Sequence, residues 1–438
     1  MKKKLVTLLL VSAMAIGTLA GCGDDSKKEA GKDDKKTEET GDDKKAEDGK
    51  ATGEVKDVTL KVWAPENQIQ SGTIDSMTKS FQEAHPEWNI EFTVETQGED
   101  TAKDAILADV ETAADVYFFA NDQLPALVDA GAVAKLGGTT ADMVKTTMSE
   151  AVIDTVTIGE DIYAVPFTHN TFFMYYDKSL LDENDIKSLD SIMAKETGEG
   201  VYNFMFDSAG GWKLGAWFYG AGNTIYGEDG TDYAAGCDWN NETGLAVTNY
   251  IIDLMNNPKC AFADTAPAVD ELAGEHKLGA WFDGAWNYDL YKGVLGDDLG
   301  VAVIPTYKLG DKDVQLKGFY GSKCIGVNPQ SANPEVAVAF AAYLGSEEMQ
   351  LQRYQETAQV PTNSALAENA EIKADEVAAT IIKEAEIASV AQPMSSGFSN
   401  TFWANVGGFA TEISTGDFNH DNAQEKLDTF VSTMVVEE

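Results

Sequence analysis

The sequence predicts an α/β fold that is divided into two lobes. Segments typical of strands alternate with segments typical of amphipathic helices. The part of the chain that can fold, about 385 residues, is too long for one compact core. Two α/β lobes satisfy both the alternation and the length.

The alternation is clearest at the start of the folded part. A β-branched run at 58–64 is followed by Ile74, Met77 and Phe81, which are spaced as one face of a helix. A second strand, an acidic helix and an apolar strand at 115–119 complete a β-α-β-α-β order. Such an order is typical of parallel strands with helices on both faces.

The middle of the chain continues this alternation without an internal repeat. Residues 161–177 contain two strand-like segments around a polar break at 168–170. Three further strands and one helix are expected at 201–206, 301–305, 323–329 and 333–344.

The first residues have the three parts of an export signal, namely a lysine cluster, an apolar run and small residues before Cys22. We therefore assign residues 1–21 to a lipoprotein signal peptide. LAGC, residues 19–22, resembles a lipobox, in which the cysteine becomes the lipid-modified first residue of the mature protein. A plain secretion signal with a coincidental cysteine is the alternative.

Residues 22–54 are predicted to be a lipidated, disordered linker. Between 23 and 53 there is no aromatic and no large aliphatic side chain, so this segment cannot bury a core. As a flexible coil it would reach roughly 30 Å. It would hold a folded domain near a membrane and leave that domain free to turn.

The charge of the chain excludes one class of partner. The formal net charge is −41, and Arg353 is the only arginine. Nucleic-acid binding depends on Lys and Arg that neutralise phosphates, so nucleic acid is excluded as a partner and anionic lipid is disfavoured. Solubility is the expected consequence of the acidic surface.

Three cysteines follow Cys22, and they have no metal-type spacing. Cys237 and Cys260 flank an apparent helix whose ends lie about 22 Å apart. A disulfide requires Cα atoms within about 7 Å, so we expect these cysteines and Cys324 to be free thiols.

The motifs of common enzyme classes are absent from the sequence. It contains no GxSxG, HExxH, P-loop or GxGxxG motif and only 4 histidines, so we expect no cofactor, no metal and no catalytic residue. Residues 417–428 match a calcium loop poorly, and Asp421 or Asn422 as the cap of the last helix is the simpler interpretation. A secreted glycosidase stays an alternative, because 73 acidic residues supply many carboxylate pairs.

The stretch GAWFDGAWNYDLY, residues 279–291, is typical of a strand, an Asp-Gly turn and a helix. Trp281 and Phe282 point to opposite faces of the strand, so one of the two rings is expected in the core. Trp286 stands at the helix entry, beyond the carboxyl end of the strand, where α/β sheets place their ligand crevice. We therefore expect Trp286 to contact a ligand. The tryptophans assigned to the core are Trp63, Trp217 and Trp281.

Segments along nearly all of 55–438 resemble, in the same order, the extracellular solute-binding lipoproteins of carbohydrate ABC transporters, particularly the maltose and maltodextrin-binding type. The strand-turn-tryptophan unit at 278–288 and VAVIPTY at 301–307 carry this resemblance. The other matching segments are LKVWAPEN, ADVYFFANDQLPALVDAGAVAKL, IYAVPFTHNTFFMYYDKSLL, FMFDSAGGW, GFYGSKCIGVNPQSANPEVAVAFAAYL and PMSSGFSNTFW.

The resemblance implies a two-lobe, type II periplasmic-binding-protein-like fold with a hinge and a ligand cleft between the lobes. The first lobe would comprise 55–168 and 306–368, and the second lobe 169–305 and 369–438. The chain would cross between the lobes near 168–172, near 304–308 and around 366–374.

The resemblance also implies the residues that contact a sugar. Trp212, Trp286 and Trp403 match the aromatic positions that stack on sugar rings, and Phe119 stands where a tryptophan is usual. The candidates for polar contacts are Glu66, Asn67, Asp122 and Asn170. An arginine and two glutamates of the enteric maltose pattern are replaced here by Gln123, Asn170 and Gly210. These replacements leave the length and linkage of the ligand open.

We therefore expect a lipid-anchored receptor on the extracellular face of the cell membrane, which captures an oligosaccharide and delivers it to ABC permease subunits. Flat rings bordered by carboxylates and amides suit a pyranose, and three or four stacked rings can support useful affinity. The expected ligand is maltose or maltodextrin, with xylan-derived or β-linked oligosaccharides as alternatives. We expect a monomer that closes around the sugar by a hinge motion.

Overall fold

The computed structural model describes residues 55–207, 211–263 and 265–436, all within one compact unit of the chain. The predictions for the signal peptide, the linker, Cys22 and Gly210 lie outside the described residues. The strands are β1 (Lys56–Ala64), β2 (Trp88–Thr96), β3 (Val116–Ala120), β4 (Thr157–Ile158), β5 (Asp161–Ile162), β6 (Val165–Asn170), β7 (Phe173–Asp177), β8 (Tyr202–Phe206), β9 (Cys260–Phe262), β10 (Leu278–Asp283), β11 (Leu299–Ala302), β12 (Thr306–Leu309), β13 (Lys312–Gln315), β14 (Gly318–Val327) and β15 (Ser389–Ala391).

Helices connect these strands and cover the sheets. The α-helices are α1 (Glu66–Gln70), α2 (Thr73–Ala84), α3 (Ala102–Ala108), α4 (Leu124–Asp129), α5 (Gly138–Thr147), α6 (Glu150–Asp154), α7 (Leu189–Ala194), α8 (Gly215–Gly220), α9 (Glu242–Met255), α10 (Val269–Gly274), α11 (Tyr288–Leu295), α12 (Pro334–Leu344), α13 (Glu347–Thr357), α14 (Ala370–Ala374), α15 (Glu376–Ile387), α16 (Ser396–Thr415) and α17 (Ala423–Thr433). The short 3₁₀ helices are Asn121–Gln123, Asp185–Lys187, Tyr233–Ala235, Ala285–Asn287, Gly296–Asp298 and Ser364–Glu368.

The first sheet contains the predicted β-α-β-α-β unit. Its strand order is β15-β14-β3-β1-β2, and β6 also pairs with β14. β1 is parallel to β2 and β3, which confirms the prediction of parallel strands, whereas β14 is antiparallel to β3 and β6. The apolar face predicted for α2 is fully buried against this sheet, in the same core as β1 and β3.

The second sheet has the order β11-β7-β10-β8-β9. Its two faces lie in different cores, since Phe282 of β10 packs in one apolar cluster and Trp281 in another. Both rings are therefore buried, with 4% and 1% of their surface exposed. The assignment of Trp281 to the core is confirmed, and Phe282 on the opposite face is buried as well, because apolar groups cover this sheet on both faces.

The chain crosses between the sheets at three places. β6 belongs to the first sheet and β7 to the second, so the first crossing lies at 171–172, just after the polar segment that was expected to break the strands. β14 makes the second crossing itself, because Phe319 lies in the core of the second lobe and Cys324 in that of the first. The third crossing lies within α13, where Met349 packs in the core of the first lobe and Tyr354 in that of the second.

Two of the predicted lobe boundaries therefore need correction. The hairpin β12-β13 belongs to the second lobe, where Tyr307 is buried and donates a hydrogen bond to the carbonyl of Trp217. Val360 and Leu366 also pack against the second sheet. The boundary expected at 305/306 thus lies near 320, and the one expected at 368/369 lies near 352. Both depend on packing between distant segments, which local sequence pattern does not show.

Several smaller predictions can be compared with the structure. Trp217 is buried as expected, whereas Trp63 is only partly buried and donates from Nε1 to Glu95. Cys237, Cys260 and Cys324 are free and buried, which confirms the prediction of thiols. Among the described residues, no helix has the length and apolarity needed to span a membrane.

The segment 417–428 contains the turn that precedes α17. Across the described ranges, no group of His, Cys, Asp and Glu is arranged to hold a metal ion. Asn422 stands at the N-cap position of α17, but its side chain makes no cap hydrogen bond and instead accepts from the backbone N–H of Asn419.

Candidate sugar-binding cleft

A cavity of about 820 Å³ lies between the two lobes. Seven of the eight residues expected to contact ligand line it, and Phe119 does not. The first lobe, with its strands β6 and β14, contributes Glu66, Asn67, Gln70, Glu99, Asp100, Lys103, Asp104, Ala120, Asp122, Gln123, Asn170 and Lys323. The second lobe and the segment after β15 contribute Trp212, Trp286, Asn287, Gln392, Ser399 and Trp403.

Trp286 is presented by the turn that follows β10. Asp283 closes this turn, because its carboxylate accepts hydrogen bonds from Asn287 Nδ2 at 2.9 Å and from the Tyr291 hydroxyl. The indole lies directly against Gly284, where a Cβ would come within 2.1 Å of the ring. The glycine of the predicted Asp-Gly turn is therefore required for the orientation of Trp286.

Trp212 lies beside Trp286, with ring centroids 5.9 Å apart and planes at 28°. It follows Gly211, which has a φ of +67° and approaches Val406 so closely that a Cβ would lie 1.9 Å from that side chain. The loop before α8 can therefore pack against α16 only with glycine at this position. Trp212 Nε1 is buried and has no partner within the protein.

Trp403 projects from α16, a helix capped by the Ser395 hydroxyl, which accepts from the N–H of Phe398 at 3.2 Å. Its Nε1 donates to Asp122 Oδ2 at 2.9 Å, so an aromatic residue of the second lobe contacts a carboxylate of the first. Phe398 and Phe402 support the indole from within the helix.

Asp122 lies in the 3₁₀ turn directly after β3, at the carboxyl end of that strand. Its side chain is buried, and burial raises the pKa of Asp122 to about 6, although the hydrogen bond from Trp403 opposes this shift. The group is therefore predominantly a carboxylate at neutral pH, with one oxygen engaged by the indole. It can accept further hydrogen bonds from a hydroxyl.

Glu66 and Asn67 are held at the cavity by the short helix α1. Gln68 of that helix is fully buried, and its Oε1 accepts from Nε of the buried Arg353 at 3.2 Å. Glu66 accepts from Gln70 Nε2 at 2.8 Å. The interior contact fixes α1, so that its outer residues face the space between the lobes.

The two substituted positions within the described residues have different surroundings. Asn170 ends β6 and lines the cavity as a neutral amide. Gln123 is buried, and its side chain accepts from the N–H of Lys103 and donates to the carbonyl of Glu99, both at 2.7 Å. Gln123 therefore organises the loop before α3 and provides no charge to the cavity.

Phe119 is a wrong prediction. Its ring is fully buried in the core of the first lobe, where it packs edge-on against Tyr117. The next residues on the strand and turn, Ala120 and Asp122, line the cavity instead. Since both faces of β3 are covered, a ring at 119 points into protein and cannot stack on a ligand in this arrangement.

Sequence reasoning missed four polar residues of the cleft, Glu99, Lys323, Gln392 and Ser399. Among the described residues, buried polar atoms without a hydrogen-bond partner occur in the cavity lining at Glu99 Oε1, Trp212 Nε1, Gln392 Oε1 and Ser399 Oγ. Buried polar atoms normally have partners, so unpaired ones around a cavity indicate that a ligand supplies them. Glu99 could have been found from its position after β2, whereas Lys323, Gln392 and Ser399 carry no local signal.

Comparison with known proteins agrees with this architecture. A family model for the bacterial extracellular solute-binding protein matches residues 76–380. The galactooligosaccharide-binding protein of Bacillus subtilis (strain 168) is 23% identical over 404 residues, which cover 88% of this chain and 86% of the relative. A solved complex with acarbose is 43% identical, covers 86% of this chain and 98% of that chain, and superposes with a TM-score of 0.81.

The maltodextrin binding protein MalE1 from L. casei BL23, solved without ligand, is 27% identical and has a TM-score of 0.76, with 86% of this chain and 99% of that chain covered. These similarities extend over both lobes, in agreement with the mixed α/β fold and the cleft described above. The family match alone covers strands of both sheets and two of the three cleft tryptophans. The chain therefore belongs to the bacterial extracellular solute-binding proteins.

Proposed function

We propose that this chain binds maltose or a maltodextrin, an α-1,4-linked glucan, in its interlobe cleft and delivers it to the permease of an ABC importer. One observation carries the proposal: three tryptophans and a set of buried, unpaired polar atoms line the same cavity. A pyranose has an apolar C–H face and a rim of hydroxyls. The rings and the polar atoms match these two surfaces.

The size of the cavity supports a ligand larger than a single small metabolite. Its volume of about 820 Å³ lies in the upper part of the usual range for ligand pockets, roughly 300–1,000 Å³. Both lobes contribute to its lining, so a bound sugar gains its full set of contacts only when the lobes are together. Ligand binding then favours closure about the three crossings.

The names of the related proteins favour an α-glucan and also define the main alternative. A maltodextrin binding protein and a complex with acarbose are both similar to this chain. The relative that binds galactooligosaccharide is the reason to test a β-linked ligand as well. In either case the protein acts as a receptor, and no bond of the sugar is made or broken.

The location that we propose for the receptor is supported by the amino-terminal sequence. In this proposal Cys22 carries the lipid anchor, and the polar linker up to residue 54 holds the folded unit at the outer surface of the membrane. A monomer is sufficient, because the site lies within one chain. Labelling with radioactive palmitate, compared between wild type and Cys22→Ser, tests the anchor.

Isothermal titration calorimetry tests the ligand. The maltose series, xylo-oligosaccharides and β-linked galactosides are titrated into the mature protein, and saturable binding of the maltose series with the tightest affinity is expected. Tighter binding of another series would replace the proposed ligand, and no saturable binding would reject the receptor role. Shortened products after incubation with malto-oligosaccharides would instead favour the glycosidase alternative.

A further inference from the structure

Lys323 extends from β14 of the first lobe into the cleft. Its backbone is fixed by pairing with Ala120 of β3 and Thr168 of β6, and only 12% of its side chain is exposed. Nζ lies 2.5 Å from Glu99 Oε2, and the side chain of Glu99 is itself only 9% exposed. This ion pair is therefore largely removed from solvent.

The same ammonium group lies over the indole of Trp286, 4.7 Å from the ring centroid. Trp286 belongs to the second lobe, so this cation–π contact bridges the cleft. A desolvated contact of this kind is stronger than an exposed one. The ammonium therefore occupies the face of the indole that looks towards the first lobe.

A sugar between the lobes would approach Trp286 from that same side. Both Lys323 and Trp286 line the cavity, so their contact lies within the space available to a ligand. A stacked pyranose and an ammonium group cannot share one face of an indole. The hydrogen bond between Trp403 and Asp122 is a second case in which two cleft groups satisfy each other across the lobes.

We propose that Lys323 acts as an internal substitute for the ligand on Trp286, so that an oligosaccharide binds there only by displacing the ammonium. Lys323 then sets the affinity of the site, and it favours ligands that make enough further contacts to compensate for the lost cation–π interaction. This inference rests on the proposed function, because it requires a sugar to stack on Trp286.

The structure contains a matched control for this arrangement. On the outer surface of the first lobe, Lys61 Nζ lies 5.2 Å from the Trp63 ring centroid and 3.1 Å from Glu95 Oε2. The chemistry is the same, but none of these three residues lines the cleft. Changes to this outer cluster should leave sugar binding unaltered.

The test measures maltodextrin affinity by calorimetry in paired variants. Glu99→Gln is compared with Glu99→Gln/Lys323→Met, which keeps the length of the side chain and leaves no buried carboxylate unpaired. The double variant is expected to bind about 5- to 30-fold more tightly than the single variant. Lys61→Met/Glu95→Gln, as the control, should bind like the wild type.

A second variant distinguishes displacement from a folding defect. Lys323→Arg keeps the positive charge and stacks more strongly on an indole, so it should weaken sugar binding. Tighter sugar binding by the Met variant together with weaker binding by the Arg variant supports displacement. Unchanged or weaker binding by the Met variant overturns it. If the wild type binds no oligosaccharide, the proposed function itself fails; if it binds and neither variant differs, only this inference fails.

Discussion

The two walls of the cleft differ in chemistry. The wall from the first lobe consists almost entirely of charged and amide side chains, whereas the wall from the second lobe carries all three tryptophans of the lining. The polar groups arise from turns after β2 and β3 and from α1, and the rings from a turn, a loop and a long helix. One wall is therefore suited to hydroxyls and the other to the C–H faces of sugar rings.

This difference shows why neither lobe would bind well by itself. Stacking gives affinity with little directional preference, whereas hydrogen bonds to hydroxyls distinguish one sugar from another. Recognition of a particular sugar requires both walls at once. If the walls have these separate roles, changes on the aromatic side should reduce affinity for all oligosaccharides, and changes on the polar side should alter selectivity and pH dependence.

Removal of a ring is the largest expected effect. Trp286→Ala and Trp403→Ala should each weaken binding of the maltose series at least about tenfold, because each removes a stacking surface together with its buried apolar area. Calorimetry gives the affinity, and circular dichroism verifies that the variants fold. Trp63→Ala is the control, since Trp63 lies outside the cleft. Wild-type affinity in both cleft variants would disprove the assignment of the rings.

A smaller effect is expected when a ring is displaced and not removed. In Gly284→Ala the new methyl group would overlap the indole of Trp286, which must then move. A displaced ring loses part of its stacking on the sugar, about 1 kcal/mol, so we expect roughly fivefold weaker binding. Gly293→Ala is the matched control, because a Cβ at this position meets no atom within 4 Å. Equal affinities for the two variants would contradict the role of Gly284.

The polar wall should produce a modest pH dependence. The pKa of Asp122 is about 6, so lowering the pH from 7.5 to 5 protonates an acceptor and should weaken binding about threefold. Calorimetry across this range should give a flat profile for Asp122→Asn. An identical slope in the variant would assign the pH dependence to another group.

The raised pKa of Asp122 also makes the free energy of unfolding depend on pH. Because folding raises the pKa of Asp122 from 3.8, the folded state holds this proton more tightly than the unfolded chain does. The contribution of Asp122 to the free energy of unfolding is therefore greatest below the unfolded-state pKa and is lost as the pH rises through about 6.

Much of the fold could be predicted from local sequence pattern. The helical spacing of Ile74, Met77 and Phe81 and the β-branched run of β1 each determine an element whose burial follows from its own residues. The turn before Trp286 was also predictable, since an Asp-Gly pair after an apolar strand has few alternatives. These features depend on contacts over a few residues.

The errors concern residues whose environment depends on distant parts of the chain. Phe119 lies on an interior strand because β14, some 200 residues later, pairs with β3, and the hairpin β12-β13 joins the second lobe through Tyr307. The strand that holds Lys323 was expected, but nothing in the sequence indicates a role for this lysine, and only the pairing of β14 with β3 and β6 directs it to Trp286. Local pattern does not contain such information.

The position of β14 has a consequence for how the molecule is made. Its residues 323–327 pair with β3 in a sheet whose first strand begins at residue 56. During synthesis the first lobe therefore cannot complete this pairing until about residue 327 has emerged, and all five strands of the second sheet emerge before it does. Contacts of such long sequence separation slow folding, so the chain spends time with unpaired strand edges exposed.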